Sequence, residues 1–224
     1  MKRPPRFFVT ATDTGVGKTQ VACALLSLMA ERGLRPAAFK PYESGCDDLA
    51  VPADAVALQR AAQDDRPLGE ICLHRFRAPL APGVAAEREK LRPSWAKTLS
   101  AFRRLEGRAA VVEGAGGLLV PLDGRHDVID LIAALGLPVI LVARAGLGTL
   151  NHTGLSLQAL DARGIHVRAV VLSRGSPTED PSILENGKLI QKRHGVQVWG
   201  PVPYLANEDR RRKAFRKVLE PLLA

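Results

Sequence analysis

The sequence predicts the α/β class, a mostly parallel sheet with helices packed on both faces. Two observations predict it. Short apolar runs alternate with segments of helical period along the 224 residues, the pattern of strands joined by right-handed helical crossovers. The run Val139-Ile-Leu-Val142 is apolar on both faces, as a strand covered on two sides must be. The length suits one domain spanning residues 1–224.

The elements read as follows. A strand at Phe7–Thr10 empties into a Gly-containing turn. A helix over Lys18–Arg32 carries Val21, Leu25, Leu28 and Met29 at helical spacing, and Gly33 is placed to stop it. A strand at Ala37–Lys40 ends where Pro41 bars Lys40 from helical geometry. A helix follows over Asp54–Gln63. The Pro- and Arg-rich stretch Arg66–Pro93 is weakly periodic and yields no element. Further helices read as Ser94–Leu105, Asp127–Leu135, Asn151–Arg163, Ile183–Arg193 and a C-terminal segment. Further strands read as Ala109–Glu113, Val139–Ala143, Ala169–Ser173 and Gln197–Trp199.

Composition narrows the function classes. A hydrophobic content of 46% excludes disorder. The longest apolar stretches, such as Pro138–Ala143, are too short for a bilayer. The basic segment Met1–Arg6 precedes a short strand and not a signal-peptide core. Three cysteines, Cys23, Cys46 and Cys72, lack C-x-x-C spacing, which points to reduced thiols in the cytoplasm and away from zinc. The net charge is +9, and Asp209–Lys217 holds six of the cationic residues. With 4% aromatic residues and Phe215 the one aromatic within this run, too few for a base-stacking surface, it reads as the solvated face of a helix anchored by Phe215, Val218, Leu219 and Leu222, without nucleic acid as a partner.

The sharpest signal is Ala11-Thr-Asp-Thr-Gly-Val-Gly-Lys-Thr19 between the first strand and helix. Gly17, Lys18 and Thr19 fit G-x-x-x-x-G-K-[ST], with Thr12 in place of the first glycine, so the fold is P-loop NTPase-like. Backbone N–H groups of such a turn face an anion, the Lys reaches the outer phosphates and the Thr hydroxyl ligates Mg²⁺. Other candidates lie where strands end and ligands gather. Lys40 opens Lys40-Pro-Tyr-Glu-Ser-Gly45. Glu113 is read as ending its strand and opening Gly114-Ala-Gly-Gly117, within reach of a Mg²⁺ at Thr19. Asp54 starts a helix, where Asp is also a favoured N-cap. Gly146–His152 leads into another helix, with Thr149 and Asn151 able to present free N–H groups to a carboxylate; His152 itself reads as packing or capping.

Taken in order, Thr12–Thr19, Lys40–Gly45, Glu113–Gly117, Leu147–Thr153 and Gly200-Pro-Val-Pro203 resemble dethiobiotin synthetase over nearly the whole chain. The resemblance implies an ATP-dependent enzyme of biotin biosynthesis. It would close a cyclic urea on 7,8-diaminopelargonate with CO₂, through a carbamate and a carbamic-phosphoric anhydride, releasing ADP and phosphate. It implies catalytic roles for Lys18, Lys40 and Thr14. It places nucleotide against Asp13, Thr14, Gly15, Val16, Gly17, Lys18, Thr19, Ser173, Gly200 and Pro203. It places the diamine at Ser44 and, from the partner subunit of a homodimer, at the segment Gly148, Thr149, Leu150 and Asn151. Mg²⁺ would sit at Thr19, Asp54 and Glu113. Three positions depart from the family. Ala11 replaces a common glycine, Gly15 stands where some members carry glutamate, and Ser173-Arg174 falls where some carry an Asn that reads adenine. A switch- or partition-type ATPase acting on a protein or DNA is the competing reading; those proteins carry an extra lysine where this chain has Ala11 and Thr12.

Overall fold

The computed structural model describes residues 3–223; Met1 and Lys2 of the basic N-terminal segment lie outside them. Along the chain run β1 (Arg6–Ala11), α1 (Lys18–Glu31), β2 (Ala37–Phe39), β3 (Tyr42–Glu43), α2 (Ala53–Ala62), α3 (Leu68–Ile71), β4 (His74–Arg75), α4 (Pro82–Arg88), α5 (Trp95–Arg103) and β5 (Ala110–Gly117). Then come α6 (Val128–Leu135), β6 (Val139–Arg144), α7 (Thr149–Asp161), β7 (Val167–Ser173), α8 (Ile183–His194), β8 (Val198–Val202) and α9 (Glu208–Leu219).

Six strands form one parallel sheet in the order β2-β5-β1-β6-β7-β8. The order reverses at β1, so the crevice at its carboxyl end is the switch point where α/β sheets bind ligands. Alternation along each strand feeds two cores. Phe7, Val9 and Ala11 pack with Val21, Leu25, Met29 and Leu58 of α1 and α2 on one face. Phe8 packs with Phe39, Val112, Ile129 and Leu141 on the other. Burying each such Phe or Leu side chain contributes about 1.5–3 kcal/mol. No described helix is long and apolar enough to cross a membrane.

The helices end by ordinary chemistry. Gly33 (φ 73°) closes α1, its N–H donating to Ala30 O at 2.9 Å while Leu34 N–H donates to Met29 O at 3.1 Å. The cationic α9 buries Phe215 and Leu219 against the α1 face, as its spacing predicts. The free edge of β2 is closed by side chains. Asp64 accepts the Ala38 N–H at 3.0 Å, and Arg66 donates to Ala38 O at 2.5 Å and to both Asp64 oxygens. An acid and a base thus take the donor and acceptor that another strand would otherwise bind.

The structure corrects three readings. Glu113 lies inside β5, which runs on through the glycines to Gly117. Those glycines serve close packing: a Cβ at Gly114 would sit 3.1 Å from the Phe8 ring and one at Gly117 3.4 Å from Ala11 O. The Arg66–Pro93 stretch contains α3, β4 and α4, and β4 pairs with β3 in a two-stranded parallel sheet. Asp54 is the second residue of α2 and not its cap, which is Pro52.

Candidate active site

Thr12 N–H donates to Val142 O at 3.0 Å, tying the exit of β1 to β6. The chain then turns through Gly15 (φ 74°) and Gly17 (φ 104°). Left-handed backbone favours glycine at both, and at Gly17 a Cβ would also crowd Ser173 Oγ at 3.3 Å. No side chain caps α1, and its first turn holds no acid. Its leading N–H groups therefore face the turn without a protein carboxylate, as an anion site requires. Lys18 folds back over the loop and donates to Asp13 O at 3.3 Å. Burial and the neighbouring Lys40 lower its pKa.

Four residues far apart in sequence converge beside this loop. Lys40 Nζ donates to Glu113 Oε1 at 2.7 Å and Gly114 O at 3.2 Å, and pairs with Asp54 Oδ2 at 3.1 Å. Thr19 Oγ1 lies 2.9 Å from Glu113 Oε1 and 3.1 Å from Asp54 Oδ1. The sheet accounts for this. Glu113 pairs in register with Val9 of β1, two residues short of the phosphate loop. Lys40 follows directly after β2, on the other side of β5. Asp54 comes from α2, which packs on α1.

Lys40 is 3% exposed and Glu113 1%. Burial by itself would lower the Lys40 pKa, but Glu113 and Asp54 outweigh it and hold the ammonium well above its ordinary value. Burial pushes Glu113 up, opposed by Lys40. Glu113 Oε2 is buried and has no hydrogen-bond partner, an orphaned acceptor beside a threonine hydroxyl and the half-exposed Asp54. Hard oxygen donors of this kind fit Mg²⁺. Among the described residues no group of three His, Cys, Asp or Glu side chains could hold an ion unaided, so phosphate and water oxygens would have to complete the set.

Thr14, Gly15, Gly17, Lys18, Thr19, Lys40, Ser44, Asp54 and Glu113 line one cavity of about 530 Å³. Thr14 and Gly15 also line a second of about 730 Å³, with Val16, Ser173 and Arg174. The phosphate loop is thus the ridge between two cavities. Asp13 is exposed and meets Arg144 at 3.4 Å. Gly200 and Pro203 lie outside both linings. Gly200 (φ 101°) instead passes so close to β7 that a Cβ would fall 2.5 Å from Leu172 O. Gly148 caps α7, and Gly148, Leu150 and Asn151 face solvent, whereas Thr149 is buried and shares a 3.2 Å hydrogen bond with Thr153. That segment also lies outside both linings, and His152 is exposed instead of packed.

Sequence reasoning passed over Glu43, which is buried in the lining of the first cavity. Its Oε1 accepts the Asp54 N–H at 2.9 Å and its Oε2 the Ala55 N–H at 3.0 Å. The one available signal was alternation after Pro41, which turns Tyr42 toward the core and Glu43 the opposite way.

Comparison with known proteins sharpens this geometry. A family model described as an AAA domain matches residues 5–212. The ATP-dependent dethiobiotin synthetase BioD of Anaeromyxobacter dehalogenans strain 2CP-C is 47% identical over 214 residues, 95% of this chain and 96% of that protein. The protein of the same name from Thermodesulfovibrio yellowstonii is 36% identical, over 91% of each chain. Among solved structures, a ParA family ATPase from Chlorobium tepidum superposes with a TM-score of 0.54 at 14% identity, over 98% of this chain and 93% of that one. At that identity the likeness is one of fold.

Proposed function

The chain belongs to the AAA domain family and to the ATP-dependent dethiobiotin synthetases, and we propose how its own residues perform that synthesis. The substrates are ATP, CO₂ and 7,8-diaminopelargonate. One amine of the diamine adds to CO₂ and loses a proton, giving a carbamate. A carbamate oxygen attacks the γ-phosphorus, the bond to the β-phosphate oxygen breaks, and ADP leaves. The second amine attacks the carbonyl carbon of the resulting anhydride and expels phosphate, closing the cyclic urea.

Negative charge crowds each of these steps, and the cavity answers it with fixed cations. The phosphates lie on the ridge formed by Asp13–Thr19, against the uncapped N-terminus of α1. Lys18 reaches the outer phosphates. Lys40, held at the cavity wall by Glu113 and Asp54, stabilises the transferring group and the carbamate. A cation that need not reorganise during reaction is worth more than the same charge in water. Thr14 flanks the phosphates on both sides of the ridge. Thr19, Asp54 and Glu113 would hold Mg²⁺, which neutralises phosphate charge when bound.

The nucleoside extends into the larger cavity past Ser173 and Arg174. The diamine occupies the smaller one near Ser44. Gly148, Leu150 and Asn151 are exposed, the whole Gly148–Asn151 segment lies outside this cavity's lining, and we assign the segment to the site of a second subunit. There the N-terminus of α7 receives the carboxylate of the diamine. The convergence of Lys18, Lys40, Thr19, Asp54 and Glu113 on one cavity carries this reading. Purified protein with Mg·ATP and bicarbonate should release phosphate only when 7,8-diaminopelargonate is present, with dethiobiotin detected by mass. Turnover without the diamine and stimulated by DNA would favour the switch-ATPase reading instead.

A further inference from the structure

Three carboxylates line the smaller cavity, and one of them has no free role in it. Asp54 and Glu113 turn oxygens toward Thr19 and Lys40. Glu43 spends both oxygens on the backbone N–H groups of Asp54 and Ala55. We propose that Glu43 is a positioning residue for the metal site: it caps α2 from outside the helix and thereby fixes the Asp54 carboxylate. This rests on the ligand role assigned to Asp54 above.

Local sequence leaves α2 in need of such a cap. Its N-cap is Pro52, whose side chain can accept nothing, and no side chain within the helix start serves instead. The early N–H groups of a helix have no partner within it. A carboxylate beside them gains two charge-assisted hydrogen bonds and the favourable end of the helix dipole. Asp54 cannot serve this purpose, because its own oxygens reach Thr19 and Lys40 at 3.1 Å. Glu43 removes that competition. With the N–H groups occupied, the Asp54 side chain has no reason to fold back onto its own helix.

Glu43 is itself held rigidly. It lies in β3, in register with Arg75 of β4, and Phe76 N–H donates to Glu43 O at 2.9 Å. Its neighbour Tyr42 is 1% exposed and is packed in the core. Arg75 also donates to Leu49 O at 2.7 Å, tying the loop between β3 and α2 to the same small sheet. The two-stranded sheet therefore exists where it can aim one glutamate at one helix end. Loss of a group that orients a ligand from behind typically costs about 10–100-fold in metal affinity or activity.

The test measures Mn²⁺ binding to the enzyme–ADP complex by electron paramagnetic resonance, together with amide hydrogen exchange. Glu43→Ala should weaken Mn²⁺ about tenfold or more and speed exchange at Asp54 and Ala55. Glu43→Gln keeps one acceptor oxygen, so it should fall between wild type and Glu43→Ala while remaining folded. In an Asp54→Ala background the Glu43→Ala change should alter Mn²⁺ affinity by less than about twofold, since a residue acting through Asp54 has nothing left to act on. Wild-type Mn²⁺ affinity in Glu43→Ala overturns the positioning role alone. An undiminished effect in the Asp54→Ala background does the same, and a rise confined to the KM for the diamine would assign Glu43 to that substrate. Wild-type affinity in Asp54→Ala itself overturns both the ligand role and the proposal, without touching dethiobiotin synthesis.

Discussion

Replacing Lys40 by Ala separates the ion pairing that its ammonium makes from the catalytic role we propose for it. In the folded chain it neutralises Glu113 at 2.7 Å and Asp54 at 3.1 Å. Without it, Glu113 stays buried with the Thr19 hydroxyl as its remaining donor. Leaving a buried charge uncompensated costs about 3–5 kcal/mol. In a chain of this size each kcal/mol lowers Tm by about 2–4 °C, so Lys40→Ala should melt about 10 °C below wild type. Adding Glu113→Gln removes the stranded charge and should restore about half of that loss. Turnover should behave differently. Lys40→Ala should lower kcat by about 10²-fold or more, a loss of about 3 kcal/mol, and the second substitution should restore none of it. Lys18→Ala should match that kcat loss and also raise the KM for ATP, because Lys18 bends over the phosphate loop. Calorimetry and a phosphate-release assay on the same preparations read both quantities. A Lys40→Ala chain that melts within about 2 °C of wild type, or that keeps near-normal kcat, would refute the reasoning.

Asp64 should set part of the acid stability. Burial alone would raise its pKa, but Arg66 and the Ala38 N–H outweigh it and hold the carboxyl below its ordinary range. Its contribution is therefore complete above the unfolded value of about 3.9 and is lost as pH falls through the folded one. Asp64→Asn should lose about 1–3 kcal/mol at pH 7, and thermal melts should show the gap to wild type closing below about pH 4; a gap independent of pH would contradict this. Mixing Lys40→Ala chains with Asn151→Ala chains should recover activity that neither has alone, since one site of a mixed dimer is intact; fully active monomers by sedimentation would exclude shared sites. Ser173 offers one hydroxyl and Arg174 only donors where an Asn amide would pair with adenine, so ATP should be preferred over GTP or CTP by less than about tenfold in kcat/KM. A preference of about a hundredfold, unchanged in Ser173→Asn, would mean that other groups read the base.

What was legible in the sequence was what is local. The phosphate loop is one short stretch whose glycines, lysine and threonine act within a few residues of each other. The alternation of apolar and helical segments likewise repeats within a window that a core-facing strand or helix imposes. Glu113 reads as a strand end because three glycines in four residues signal a turn when no partner is known. In the fold, Phe8 and the backbone of Ala11 stand where side chains at Gly114 and Gly117 would go, so the same residues signal a strand pressed against its neighbours. The strands β3 and β4 leave no mark in the sequence, because two residues carry no period.

Asp54 shows why such gaps matter at a site. From sequence, nothing local distinguishes a cap from a ligand at Asp54, and only the resemblance points to a metal role. The fold separates the two duties: Glu43 takes the helix end, and Asp54 faces Thr19 and Lys40. The segment from Lys40 to Glu43 is where this division is made. Pro41 ends the run of β2, Lys40 turns to Glu113, Tyr42 enters the core, and Glu43 meets α2. Four consecutive residues thus link the sheet edge, the core and the helix that carries Asp54, the ligand we propose. Tyr42 is packed in the core and also lines this cavity, so Tyr42→Ala should cost stability and, by loosening its neighbour Glu43, weaken Mn²⁺ binding as Glu43→Ala does; an unchanged Mn²⁺ affinity would break this link.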